Sequence, residues 1–478
     1  MKHLFYYHFR LLSILLAIFA CIACGDDDDE ANTTPAVQVT LRSQSISEGA
    51  EVEANATTEL KLTYSVSIKV ANAAAITLNG AVVAAQRNPQ DVMGVIVPLT
   101  LKEGTTYTLT IPEGCIVANG DATASAPAFT LHFTTKAKPQ PATGNIPAEP
   151  VTAATDEAKK LYTFFLNNYG KKVVSSVMAN VNWNNECAEK VFKLTGKYPA
   201  MNCYDFIHIC FSPANWIDYT KITPVQQWVN DGGLVQLMWH FNVPKSEGST
   251  DVTCTPSETS FKAANALIDG TWENKWFYGQ MDKVVATLLK LQEAGIAATW
   301  RPFHEAAGNA TARQQASWTK AWFWWGYDGA QTYKKLWVAM YDYFQQKGVK
   351  NLIWIWTTQN YNGNSQQYNQ DTDWYPGDQY VDIVARDLYG VNAAKNAQEY
   401  AEIQAQYPNK MVALGECGRG DGGEAGLIGD CFSQGALWSH FMVWYQGGQG
   451  STDTMCSDAW WRDAMSNEYV ITRDEVAF

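Results

Sequence analysis

Tryptophan is missing from the first 182 residues of this 478-residue chain; all 19 tryptophans lie at or beyond Trp183. A chain of this length exceeds what a single core organises, and the imbalance points to two kinds of domain. Charge is scarce too. Only 17% of residues are charged, and 48 acidic residues outnumber 35 basic ones, for a net charge of -13. No basic patch is left to release counterions from a polyanion, so nucleic acid is excluded as a partner. No cysteine pair after Cys24 has CxxC spacing, and no histidines have HxH spacing. A structural zinc site and a metal-dependent deacetylase are set aside on that ground.

Long apolar runs are lacking as well. The run Leu11 to Ala20, flanked by Lys2 and Arg10, falls well short of the roughly 20 residues that span a bilayer. It reads as an exported leader, residues 1–23. Cys21-Ile-Ala-Cys24 follows and resembles a bacterial lipobox, with Cys24 as the lipidated first mature residue. The acidic run Asp26 to Glu30, within a linker over 24–35, resembles the surface-export signal of Bacteroides-type lipoproteins. These features predict an outer-membrane protein facing the cell surface, held to the membrane only by its lipid. An ordinary cleaved signal peptide is the alternative. Eight cysteines remain after Cys24, seven of them in the second half. At least one of those seven is then a free thiol, unless a bridge joins the two halves.

Residues 36–136 alternate polar and apolar in short runs, Val37–Leu41, Leu60–Tyr64, Val95–Leu99, Tyr107–Ile111 and Phe129–Phe133, with turn residues between them. That pattern predicts a small antiparallel β-sandwich. Its stretch Glu103 to Gly114 resembles bacterial Ig-like domains found beside surface enzymes, and with no Trp and few aromatics the module reads as a spacer rather than a glycan-binding domain. Residues 137–151 are a Pro-rich linker. From 152 to 478 the pattern changes to apolar runs separated by helical periodicity: Val173–Met178, Ala200–Tyr204, Gly233–Trp239, Ala297–Phe303, Leu352–Trp356, Val381–Leu388, Met411–Gly415 and Trp438–Trp444. Eight near-continuous apolar strands with helices such as Met281–Glu293 and Ala330–Lys347 between them predict a (β/α)8 TIM barrel. The fold class is therefore α/β, a barrel preceded by an all-β Ig-like sandwich.

In such barrels the site forms where the strands end. Those ends carry Asn180, Asp205, His240, His304-Glu305, Thr357–Asn360, Asp387 with Tyr389, Glu416 and Trp444. Two carboxylates stand out, Glu305 after the fourth strand and Glu416 after the seventh. Ends that face each other across a barrel can hold two carboxyls about 5 to 5.5 Å apart, the arrangement for retaining glycoside hydrolysis. Arg301 is the candidate ion partner for either acid. That chemistry needs no cofactor.

Arg301-Pro-Phe-His-Glu305 and Trp322-Phe-Trp-Trp-Gly326 resemble the signature of glycoside hydrolase family 26. So do Asn351 to Trp356, Tyr375 to Ile383 and Ala413 to Gly418, in the same order along 152–478. The resemblance implies that Glu305 is the acid/base and Glu416 the nucleophile. It puts His240, His304, Arg301, Trp322, Tyr389 and Trp444 at the sugar next to the cleaved bond, with Tyr389 bonded to the nucleophile. The substrate it implies is a β-1,4-mannan cut by a monomeric endo-enzyme. Mixed-linkage glucan cleavage, mannobiose release and glycan binding without catalysis remain open. One departure is an insertion over 310–321 between the acid/base and Trp322.

Overall fold

A computed structural model of the chain describes residues 37–54, 57–137, 145–151, 155–308, 321–358, 371–448 and 450–478. The leader, Cys24, the acidic run and most of the 310–321 insertion lie outside the described residues. The chain divides into two compact units between Ala137 and Lys138.

The first unit is all-β. Glu59–Tyr64 lies between Leu41–Gln44 and Gly94–Pro98, and Phe129–Thr135 lies between Ala50–Val52 and Thr106–Ile111. Alternation decides the burial: Leu60, Leu62 and Tyr64 point into the core, while Glu59 and Lys61 point out. Two expectations are corrected. The first run, Val37–Leu41, is not a strand; pairing begins only at Leu41, opposite Tyr64. The Ser65 hydroxyl accepts from the Thr40 N–H at 3.0 Å and donates to the Gln38 carbonyl at 2.9 Å, beside one backbone bond from the Ser65 N–H to the Thr40 carbonyl at 2.8 Å. The sheets are not wholly antiparallel either, since Phe133–Thr135 pairs in parallel with Ala50–Val52.

The second unit is a closed eight-stranded parallel barrel. Its strands are β1 (Val173–Met178), β2 (Met201–Asp205), β3 (Leu234–Trp239), β4 (Ala298–Pro302), β5 (Leu352–Thr358), β6 (Ile383–Tyr389), β7 (Met411–Gly418) and β8 (His440–Val443). Neighbours in sequence are neighbours in the sheet, and β1 pairs with both β8 and β2 to close it. Val470–Ile471 adds a short parallel strand on β1. Nearly every strand residue is buried, which is why the runs are apolar on both faces. Four helices of this unit start on side-chain caps: the hydroxyls of Thr155, Thr271 and Ser457 and the side chain of Asn392 each accept from a first-turn N–H. The helix expected from Met281 starts nine residues earlier, at Trp272. Among the described residues no helix is long and apolar enough to cross a membrane, and the eight cysteines are all free thiols.

Candidate active site

Strand β4 delivers Glu305 through a strained turn. Phe303 and Glu305 both sit in the left-handed region, at φ 48° and 52°, without being glycine. Such residues cost of order 1–3 kcal/mol each and persist only when their surroundings hold them. Here Tyr333 donates its hydroxyl to the Phe303 carbonyl at 3.2 Å, and the Trp325 indole N–H donates to the His304 carbonyl at 2.9 Å. Gly326 completes the clamp: a Cβ there would lie 1.9 Å from the Ala306 carbonyl oxygen. The Trp-Phe-Trp-Trp-Gly segment is thus a brace packed on the backbone around Glu305.

Strand β7 delivers Glu416 through a bulge. Pairing with β6 runs in step up to Arg386 and Leu414, then skips Gly415, so that Asp387 faces Glu416. Arg301 lies beneath, with no exposed side-chain surface. Its Nη1 donates to Glu416 Oε1 at 2.7 Å, its Nη2 to Asp387 Oδ2, and its Nε to the Thr357 hydroxyl at 2.8 Å. Tyr389 donates its hydroxyl to Glu416 Oε2 at 2.5 Å. Both oxygens of Glu416 are therefore held. Oxygens of Glu305, Asp387 and Glu416 all lie within 4.8 Å of one another.

Electrostatics follow from that crowding. Burial pulls the Arg301 guanidinium down, but the carboxylates of Asp387 and Glu416 outweigh it and keep the charge in place. Burial also drives Asp387 well above the ordinary carboxyl range, against the pull of Arg301 and with Glu416 and Glu305 adding to the rise. The Tyr389 hydroxyl is pushed up by burial and by Glu416, so it stays a donor.

Beside the carboxyl cluster, His240 Nε2 and His304 Nε2 face each other at 3.1 Å. Behind His240, the fully buried Asp205 contacts Nδ1 through Oδ2, and its Oδ1 accepts from the His240 backbone N–H at 2.9 Å. Phe323 sets its ring 5.1 Å from His304 and 5.6 Å from His240, and Trp444 lies 5.8 Å from His240, centroid to centroid. Burial and the neighbouring His240 and Arg301 hold His304 far below the usual imidazole range. Burial lowers His240 too, but the Asp205 carboxylate reverses the sign and the net shift is upward.

The structure thus brings Glu305, Glu416, His240, His304, Arg301, Tyr389 and Trp444 together. Arg301 is an ion partner buried under the cluster, with no exposed side-chain surface. The ring set against the two histidines is Phe323, the neighbour of Trp322; Trp322 itself is 38% exposed. His440 is a core residue against Phe165. Asp205 and Asp387 were named only among the strand-end residues and given no role, although each is an acid at the end of an apolar strand, the same signal that marked Glu305 and Glu416.

The model of "Glycosyl hydrolase family 26" matches residues 151–475. A mannan endo-1,4-β-mannosidase of Thermothelomyces thermophilus is 29% identical over 342 residues, 68% of this chain and 62% of that protein. Mannan endo-1,4-β-mannosidase B of a Piromyces species is 29% identical over 66% of this chain and 50% of its own length. This chain thus spans only about half to three-fifths of those curated relatives. The family 26 domain of an endo-β-mannanase/endo-β-glucanase from Prevotella bryantii is 51% identical with a TM-score of 0.66, covering 69% of this chain and 99% of that domain. A β-mannanase from a symbiotic protist of the termite Reticulitermes speratus, solved with a gluco-manno-oligosaccharide, is 31% identical with a TM-score of 0.55, covering 70% of this chain and 98% of its own. The chain belongs to glycosyl hydrolase family 26.

Proposed function

We propose that this family 26 protein is a retaining endo-β-1,4-mannanase, with Glu305 as general acid/base and Glu416 as nucleophile. The observation that carries the reading is the approach of the two carboxyls, with oxygens within 4.8 Å. Retention needs carboxyls about 5–5.5 Å apart, whereas inversion needs about 6.5–9.5 Å to admit a water between them. Mannan as substrate is supported by the relatives, whose names are those of mannan-cleaving enzymes.

In the first half-reaction Glu416, ionised against Arg301, attacks the anomeric carbon while Glu305 gives its proton to the departing oxygen. Ester formation removes the negative charge of Glu416. Glu305 then releases its proton more readily and, as the base, takes one from the incoming water. Tyr389 follows the nucleophile through both steps, bonded to Oε2. The rings of Phe323 and Trp444 offer apolar faces to the C–H side of the sugar, and His240 and His304 offer the polar side.

Proton NMR of the first products tests the mechanism: the new reducing end is β, and an α product overturns the reading. Digestion of mannan, glucomannan, galactomannan and mixed-linkage glucan with product sizing tests the substrate. Exclusive cleavage of the glucan would overturn the choice of mannan.

The export signal supports a further part of the proposal: the chain is a surface lipoprotein anchored at Cys24, with residues 36–136 as an Ig-like spacer. Metabolic acyl labelling that persists in Cys24→Ala would overturn the anchor.

A further inference from the structure

We infer that Asp205 is a positioning residue for the reaction: its buried carboxylate fixes the ring of His240 and keeps a proton on Nδ1, so that Nε2 is presented to His304 beside Glu305. The inference rests on the reading of Glu305 as the acid/base.

Asp205 closes β2 with no exposed surface, yet none of the chemistry above uses it. A buried carboxylate is costly unless its oxygens are occupied. Oδ1 takes two backbone N–H groups, those of Ile207 and His240, each at 2.9 Å. Oδ2 is left for one partner, His240 Nδ1. Carboxylate oxygens can only accept, so the proton of that contact belongs to the imidazole. The backbone bond and the ring bond come from one carboxylate to one residue, so they fix both the position of His240 on the rim and the direction in which Nε2 points.

At the other edge of the ring, two Nε2 atoms at 3.1 Å share a single proton. His304 has one side of its ring against Phe323 and Trp325, and among the described residues its buried Nδ1 has no partner. The charged groups facing His240 are Asp205 from β2, Arg301 from β4 and Glu416 from β7. Asp205 is the one in contact. Its charge favours the doubly protonated ring, while His304 is held neutral. The shared proton then sits on His240, and His304 Nε2 accepts. Asp205 thereby reaches the residue next to Glu305 through a chain of two hydrogen bonds.

Asp205→Asn tests this. The amide keeps an oxygen for the two backbone N–H groups but offers its own N–H to Nδ1, which forces the proton off that nitrogen. The kcat/KM is expected to fall about tenfold or more, as a wrongly set tautomer does elsewhere, with melting behaviour close to wild type. In a His240→Asn background the same change is expected to cost less than about twofold, because the path runs through the imidazole. Equal losses in both backgrounds would mean a structural role and overturn the inference. If Asp205→Asn does not fold, proton NMR of the wild type decides: a downfield imidazole N–H signal that disappears in His240→Asn is expected, and its absence overturns the inference. The signal is read without turnover, so a wild type that cleaves no glycan would sink the functional reading and leave this test intact.

Discussion

Asp387 pairs across the sheet with Glu416, one residue beyond the partner that an unbroken register would give it, and the residue stepped over is Gly415. A Cβ on Gly415 would stand 2.6 Å from Asp387 Oδ1 and 3.3 Å from Arg301 Nε. The missing side chain is what lets two carboxyls and a guanidinium meet behind the sugar site.

Gly415→Ala is therefore expected to lose most activity. The methyl group must displace either Asp387 or the buried Arg301, and overpacking of this kind costs about 1–3 kcal/mol. Chemical denaturation should register that loss of stability, and kcat should fall further than stability alone accounts for. An alanine variant with wild-type turnover would show that the bulge tolerates a side chain.

Tyr389→Phe removes one O–H from Glu416 Oε2 and leaves the ring in place. Hydrogen bonds to charged groups are worth about 1.5–3 kcal/mol. If that energy is expressed in the transition state, kcat drops roughly ten- to a hundredfold. The carboxylate of Glu416 is buried, so the unfolding midpoint is expected to fall as well.

The two glutamates should fail differently. Glu416→Ala is expected to stop turnover of every glycoside tested. Glu305→Ala should still form the glycosyl-enzyme from aryl mannosides with good leaving groups, because those need no proton. A burst of phenol release followed by slow turnover is the expected trace, and reversed behaviour of the two variants would exchange the roles.

Acid stability should trace in part to His440. Burial holds its imidazole near a pKa of about 3, against 6.5 for a free one. As pH falls from about 6.5 to about 3 the unfolded chain binds a proton that the folded chain refuses, so stability is lost across that window. His440→Leu lacks this penalty. Its melting temperature relative to wild type should improve steadily as pH is lowered from 7 to 4, and a constant offset would refute the assignment.

Much of the architecture was legible because parallel barrel strands are buried on both faces and so spell continuous apolar runs. Val173–Met178 was placed to the residue, whereas Trp438–Trp444 proved to be the four-residue β8, preceded by Trp438 and Ser439, which are buried but outside the strand. Arg301 was named as the ion partner of either catalytic acid and meets Glu416, but its second partner, Asp387, was not foreseen. Its sequence neighbours reveal an acid two strands away no better than they reveal a ligand.

Sequence by itself determined which residue types close each strand, and hence that acids and aromatics collect at one end of one barrel. Tertiary structure alone decided how they meet. The bulge at Gly415, the left-handed turns at Phe303 and Glu305 and the burial of Asp205 behind His240 are products of backbone register and packing. They depend on distances between segments far apart in the chain, and no local pattern of residues records those distances.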